Sequence, residues 1–305
     1  MTMGLSYFGY EADQYPAAQF MKPHREDKNV HPWEMVAYVN EVVAVTNNVR
    51  ALYRPAGDFQ LLKELLSSDF PVIIEKGYEP EGYDWMGHYV LLIGYDDTEE
   101  IFYTYDSFSG HGNFQGLREP YQKVENYWWH FNNMFIVLYP PEREEELMGI
   151  LGERADLEAA YTLAGQIAQQ RAQSNPNDAW AWFNLGDALT MLGQYQTATA
   201  MFRQAFNLGL PWRTLWYRHT PFEAFYQSGD FATVLRLVDA NLANTTYVEE
   251  WHYYRGLVAA SRGDVEAARR YFNTAIGYNS NYQEAIDALN ALNNGTFVSI
   301  TEVTS

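Results

Sequence analysis

The sequence has 305 residues, enough for two domains that each bury a core, and its 47% hydrophobic and 16% aromatic content excludes a disordered chain. The net charge of −19 falls mainly on residues 1–150, with 24 acidic and 10 basic side chains against 15 and 10 in residues 151–305; either half repels a phosphate backbone, which excludes nucleic acid as a partner. There is no cysteine, hence no disulfide and no thiol, and no apolar run approaches the ~20 residues of a membrane span.

Met1-Thr2-Met3-Gly4-Leu5 lacks the basic and apolar regions of a secretory signal. Cytoplasmic is therefore the reading of the sequence as written; export would need a signal further upstream, and the compartment stays open. Leu5 to Gly9 reads as the end of a helix that begins earlier, stopped by Gly9. Pro32 opens a helix whose apolar spacing runs through Trp33, Val36 and Ala37 to Thr46, and Asp58 caps a short helix with Phe59, Leu62, Leu65 and Leu66 on its apolar face. Short apolar runs at Pro71–Glu75, His88–Tyr95, Ile101–Tyr105 and Met134–Tyr139, bounded by turn residues, read as strands. Tyr127 to Phe131 reads as a helix packing aromatic side chains on the sheet. Helices first and clustered strands afterwards make residues 1–150 an α+β domain. Pro140-Pro141-Glu142-Arg143 then reads as a linker into a charged helix.

Residues 151–294 are predicted all-α. Gly193, Gly229 and Gly263 stand 36 and 34 residues apart, each where one helix turns into the next, and that period is the period of helix-turn-helix repeats. A further helix or helix pair is expected within 153–173. This half resembles the tetratricopeptide repeat family. Trp182-Phe183-Asn184-Leu185-Gly186, Gly193, Tyr195, Ala198, Phe202 and Ala205 follow its pattern, and so do Gly256, Gly263, Ala268, Phe272 and Ala275. The middle repeat departs from it at Val234 and Val238, and Pro221 interrupts its first helix. Residues 295–305, polar and β-prone, are expected to form a loosely ordered tail.

Chemistry concentrates in the first half. His88 sits at the mouth of an apolar strand, and Asp106 closes the following one, so antiparallel pairing brings a carboxylate to an imidazole. A lone histidine at a strand end is more often structural, and an aspartate there is an ordinary turn former. Glu81 to Asp96, Tyr105-Asp106-Ser107-Phe108 and Phe135 to Arg143 together resemble the peptidase C39-like family. The resemblance covers roughly residues 1–150 and implies a papain-like fold, with His88 as general base and Asp106 as the orienting carboxylate. It also implies a cysteine nucleophile about five residues upstream of Met1, preceded by an oxyanion-stabilising glutamine. Ser6 and Thr2 are poor substitutes. Two accounts follow: the start is recorded too far downstream, or the nucleophile has been lost. The intact helix end and His/Asp pair favour the first, and the chain as written should not hydrolyse peptides.

No cofactor is expected, and no metal: His24, His31, His88 and His111 fall in no tight ligand spacing. Partners are expected to be proteins or peptides, held by the cleft of the first domain and the groove of the repeats.

Overall fold

A computed structural model describes residues 1–27, 29–110 and 112–303. Its helices are α1 (Thr2–Leu5), α2 (Tyr15–Met21), α3 (Pro32–Glu41), α4 (Phe59–Ser67), α5 (Tyr121–Trp128), α6 (Glu144–Leu151) and α7 (Leu157–Ser174). They continue with α8 (Ala179–Met191), α9 (Tyr195–Leu208), α10 (Thr214–Tyr217), α11 (Thr220–Gln227), α12 (Phe231–Leu242), α13 (Glu249–Ser261), α14 (Val265–Tyr278) and α15 (Gln283–Asn294). The strands are β1 (Arg50–Arg54), β2 (Val72–Tyr78), β3 (Met86–Asp96), β4 (Ile101–Asp106), β5 (Leu117–Pro120) and β6 (Phe135–Tyr139). They form one sheet in the order β1-β6-β2-β3-β4-β5, every neighbouring pair antiparallel. The architecture is an α+β domain followed by an all-α one.

Alternation along the strands divides the first domain into two cores. Ile73, Leu91, Ile136 and Leu138 face α1, α2 and α3 and pack with Leu5, Met21, Met35 and Val39. Val72, Ile74, Val90, Leu92, Phe135 and Val137 face the other way, against Leu61, Leu62 and Leu65 of α4 and Val124 and Trp128 of α5. Asp58 caps α4 as the sequence implies, its Oδ1 accepting from the Leu61 N–H at 2.8 Å. Two strands escaped the sequence reading, β1 and β5, and the helix expected to reach Thr46 ends at Glu41, followed by a 3-10 turn over Val43–Val45. Leu147 and Leu151 of α6 belong to the core under the sheet, so the charged helix after the Pro-Pro pair is packed against the first domain.

The second half is built from antiparallel helix pairs, α8/α9, α11/α12 and α13/α14, preceded by α7 and followed by α15. Gly193, Gly229 and Gly263 occupy the same place in each pair with φ of 71°, 75° and 80°. The following residue closes each helix end in the same way: Gln194, Asp230 and Asp264 donate their N–H to Leu189, Phe225 and Ala259 carbonyls. Within a pair the helices approach so closely that one position has room only for hydrogen. A methyl on Gly256 would lie 2.6 Å from the Phe272 ring, as one on Gly186 would lie 2.8 Å from Phe202.

Residues 296–303, where a loose tail is expected, have no helix or strand but make specific contacts. Val303 donates to the Gly229 carbonyl at 3.0 Å, Ile300 to Ser261 Oγ at 3.3 Å, and Arg262 pairs with Glu302 at 2.5 Å.

Gly256→Ala should destabilise the protein by about 1–3 kcal/mol through overpacking against Phe272. Gly277→Ala, in the partner helix α14 with open space at its Cα, should be neutral or stabilise by up to about 1 kcal/mol. Chemical denaturation of both variants tests the close approach; equal effects would contradict it.

Candidate active site

His88 and Asp106 come together because β3 and β4 pair with Val90 opposite Asp106, which leaves His88 one side-chain step further along the same face. His88 Nε2 lies 2.8 Å from Asp106 Oδ1. The same oxygen accepts the N–H groups of Phe108 at 2.7 Å and Ser109 at 3.1 Å, and Asp106 and Gly110 exchange both backbone hydrogen bonds. Burial raises the Asp106 pKa, but the hydrogen bond and charge of His88 and the two N–H groups outweigh it and bring it down to about 2. An ionised carboxylate only accepts, so Nε2 carries the hydrogen and Nδ1 of the neutral ring keeps the basic lone pair. The arrangement can therefore hold an imidazole in one tautomer and take up a proton at Nδ1.

The walls of this site are aromatic. Tyr78 stacks on the His88 ring with centroids 4.8 Å apart, and its hydroxyl meets Ser109 Oγ at 2.9 Å. Phe108 stands edge-on to both Tyr78 and Tyr83. Lys76, directly opposite His88 in the β2–β3 register, is buried and ion-paired with Glu119 of β5. Burial pushes the Lys76 ammonium below its ordinary pKa against the pull of Glu119. Sequence reading found neither Tyr78 nor the Lys76–Glu119 pair, because β5 has no apolar run and Tyr78 ends a strand in an unremarked position.

Alternation along β3 turns His88 to the side of Val90 and Leu92, whereas α1 packs on the Leu91 side. A methyl on Gly4 of α1 would meet Leu138 at 2.7 Å and Leu91 at 3.4 Å. The helix end and the His/Asp pair thus lie on opposite faces of the sheet, whose end at the start of β3 is covered from the second half. There Gly87 lies against Phe131 and Tyr217, so closely that a methyl would be 2.7 Å from the Tyr217 ring. Trp85 packs on Phe131, Trp180 and Tyr217 and donates to His130 Nδ1 at 3.0 Å.

Tyr217 and Trp180 come from the second half, and they are part of a long seam. Asn132 donates to the Asn184 carbonyl at 3.1 Å and to Asp187 at 3.2 Å, while Asn184 donates back to the Trp129 carbonyl at 2.6 Å. Arg218 bonds the His130 carbonyl at 2.6 Å and pairs with Asp187 at 2.9 Å. At the far end Lys22 reaches Glu249 and Glu250, each at 2.7 Å, and Asn279 donates to the Met21 carbonyl at 3.0 Å. Desolvation works against the Lys22 ammonium, and the carboxylates of Glu250, Glu34, Glu249 and Asp27 outweigh it, so its pKa lies well above normal.

Of the histidines weighed for a metal, His24 stacks on Tyr247, His88 pairs with Asp106, and His111 lies outside the described residues. His31 meets His219 of the second half, 3.1 Å between ring nitrogens. Their separation by 188 positions hides that contact from any spacing argument.

Residues 1–134 match the Peptidase_C39 like family, and residues 172–200 match the tetratricopeptide repeat. The first half is a C39-like domain, and the second carries tetratricopeptide repeats. No curated protein matches the chain. Among solved structures, a MamA RS-1 ArsTM double mutant is 17% identical, with a TM-score of 0.40, over 50% of this chain and 84% of its own. A structure described as a C39-like peptidase from Bacillus anthracis is 19% identical, with a TM-score of 0.34, over 45% of this chain and 84% of its own. Among the described residues of the C39-like domain and the repeats, no helix is long and apolar enough to cross a membrane.

Asp106 with a pKa near 2 contributes stability that is complete above its unfolded value near ~3.9 and is lost as the pH falls through about 2. Asp106→Asn should therefore flatten the acid side of the stability profile: the wild-type advantage should shrink by about 2 kcal/mol between roughly pH 5 and pH 2. Denaturant unfolding of both proteins across that range checks it. Parallel profiles would mean that His88 does not hold the carboxylate.

Proposed function

We propose that the C39-like domain carries the base half of a papain-like cysteine peptidase site, with His88 as general base and Asp106 as its orienting carboxylate. The repeats serve protein recognition. The observation that carries this reading is the His88–Asp106 contact of 2.8 Å, with Asp106 further fixed by two backbone N–H groups. A domain that only bound peptides would need no imidazole locked in the Nε2–H tautomer. In the reaction, Nδ1 of His88 would take the thiol proton as the sulfur attacks the peptide carbonyl, and return it to the leaving amine. The 305 residues contain no thiol, so they perform no such step themselves, and the nucleophile would have to come from sequence preceding Met1.

A second reading is favoured by the seam. The end of β3 beside His88 is packed by Tyr217 and Trp85. On that reading the domain is a catalytically dead peptide-binding module, and its His/Asp pair is a relic that fixes the loop over residues 106–110.

The seam also redirects the partner reading. Trp180, Asn184 and Asp187 of α8 and Glu249 and Glu250 of α13 are all engaged by the C39-like domain. The repeat face carrying them is therefore taken within the chain, and an external protein would use the cleft at His88 or the opposite helix faces.

The experiment starts by translating the reading frame upstream of Met1 and expressing the extended chain. The peptidase reading expects one alkylatable cysteine and peptide hydrolysis that His88→Ala lowers by at least about 100-fold. The present chain should be inert to alkylators and to peptide substrates. An upstream frame without cysteine, or an extended chain that binds peptides without cleaving them, transfers the case to the binding module.

A further inference from the structure

The seam buries a second cluster of chemistry-bearing side chains, away from His88 and Asp106. His31, at the start of α3, meets His219, just before α11, and Glu250 of α13. The three ligand-type atoms, His31 Nε2, His219 Nδ1 and Glu250 Oε1, are 3.1, 3.4 and 3.7 Å apart. Four-coordinate zinc with N and O ligands at ~2.0–2.1 Å sets its ligand atoms about 3.4 Å from one another, the mean of these separations. All three residues are buried.

Two observations accompany this geometry, one of charge and one of space. First, among the described residues Lys22 is the one ammonium set against the carboxylates of Asp27, Glu34, Glu249 and Glu250. Lys22 carries a single positive charge, and it meets Glu249 and Glu250 through their Oε1 atoms. The second oxygens, Oε2 of both glutamates, are buried with no hydrogen-bond partner among the described residues. Such atoms are costly unless something coordinates them. Second, a cavity of about 30 Å³ adjoins the two rings, lined by His31, His219, Glu75, Arg218 and Tyr217. It is large enough for one water, the fourth ligand of an open zinc site.

We propose that His31, His219 and Glu250 bind a divalent cation of zinc type, with His31 supplied by the C39-like domain and the other two by the repeats. The ion replaces the hydrogen shared between the two rings. Glu250 ligates through Oε1, the oxygen that stands 3.4 and 3.7 Å from the two ring nitrogens and also accepts from Lys22. Because the ligands come from both halves, binding fastens the repeats to the C39-like domain, and metal affinity becomes stability of the seam.

The test uses the full 305-residue chain, stripped with a chelator and titrated with zinc chloride by calorimetry and with cobalt(II) by visible absorption. The proposal expects one ion per chain, the intense ligand-field bands of four-coordinate cobalt, and a higher unfolding temperature with zinc. His31→Gln and His219→Gln should each weaken binding by at least about tenfold while the far-ultraviolet circular dichroism stays native. Folded wild-type protein that takes up no zinc overturns the proposal. So does zinc retained at full affinity by the His31→Gln/His219→Gln double variant, which would place it on other side chains.

Discussion

Lys22 is buried among carboxylates that come from both halves of the chain, and that burial governs how the two halves sit. Its ammonium reaches Glu249 and Glu250 at 2.7 Å and Glu34 at 3.4 Å. Removing one partner from a buried pair of this kind costs about 3–5 kcal/mol because the other charge is left in low dielectric. The cost falls on a mismatched docking: a seam that buried Glu249 and Glu250 without Lys22, or Lys22 without them, would leave charge unpaired in low dielectric. The contact therefore acts as a register mark. Once it forms, Asn279 falls on the Met21 carbonyl, and at the other end of the seam Asn132 donates to the Asn184 carbonyl while Asn184 donates to the Trp129 carbonyl.

That register has consequences for the chemistry. It carries Tyr217 onto Gly87, the residue before His88, and packs Trp180 on His130 with ring centroids 4.3 Å apart. The base is thus built by the sheet but bordered by the repeats. Asp106 is secured locally by its own turn, so the His/Asp geometry does not depend on the seam, whereas access to it from the α1 side of the sheet does. Tetratricopeptide repeats usually offer the face of their first helices to another molecule. In this chain that face holds the C39-like domain.

The sequence made much of this legible, for identifiable reasons. β2 and β6 are buried on both faces, β3 and β4 over part of their length, and all four read as apolar runs. Arg50-Ala-Leu-Tyr-Arg of β1 has charged ends, and Leu117-Arg-Glu-Pro of β5 owes its place to the ion pair of Glu119 with Lys76, which no local pattern announces. The turn glycines were readable from their period because a left-handed residue is needed at each helix end. His88 and Asp106 were readable because consecutive strands bring them together. His31, His219 and Glu250 were not, since their meeting depends on how two separately patterned halves dock. The same holds for the repeat groove, expected to be free, whose occupant is encoded in Lys22 and Asn132 rather than in any repeat motif.

The most direct test is the shape of the whole chain in solution. A 305-residue chain folded as one compact body has a radius of gyration of about 19 Å. Small-angle X-ray scattering at neutral pH should give a value close to that, with a single-particle distance distribution that does not change as salt is raised, because the charges of the seam are buried and poorly screened. A clearly larger radius with a two-lobed distribution, or a salt-induced expansion, would contradict a repeat domain locked onto the C39-like domain through Lys22.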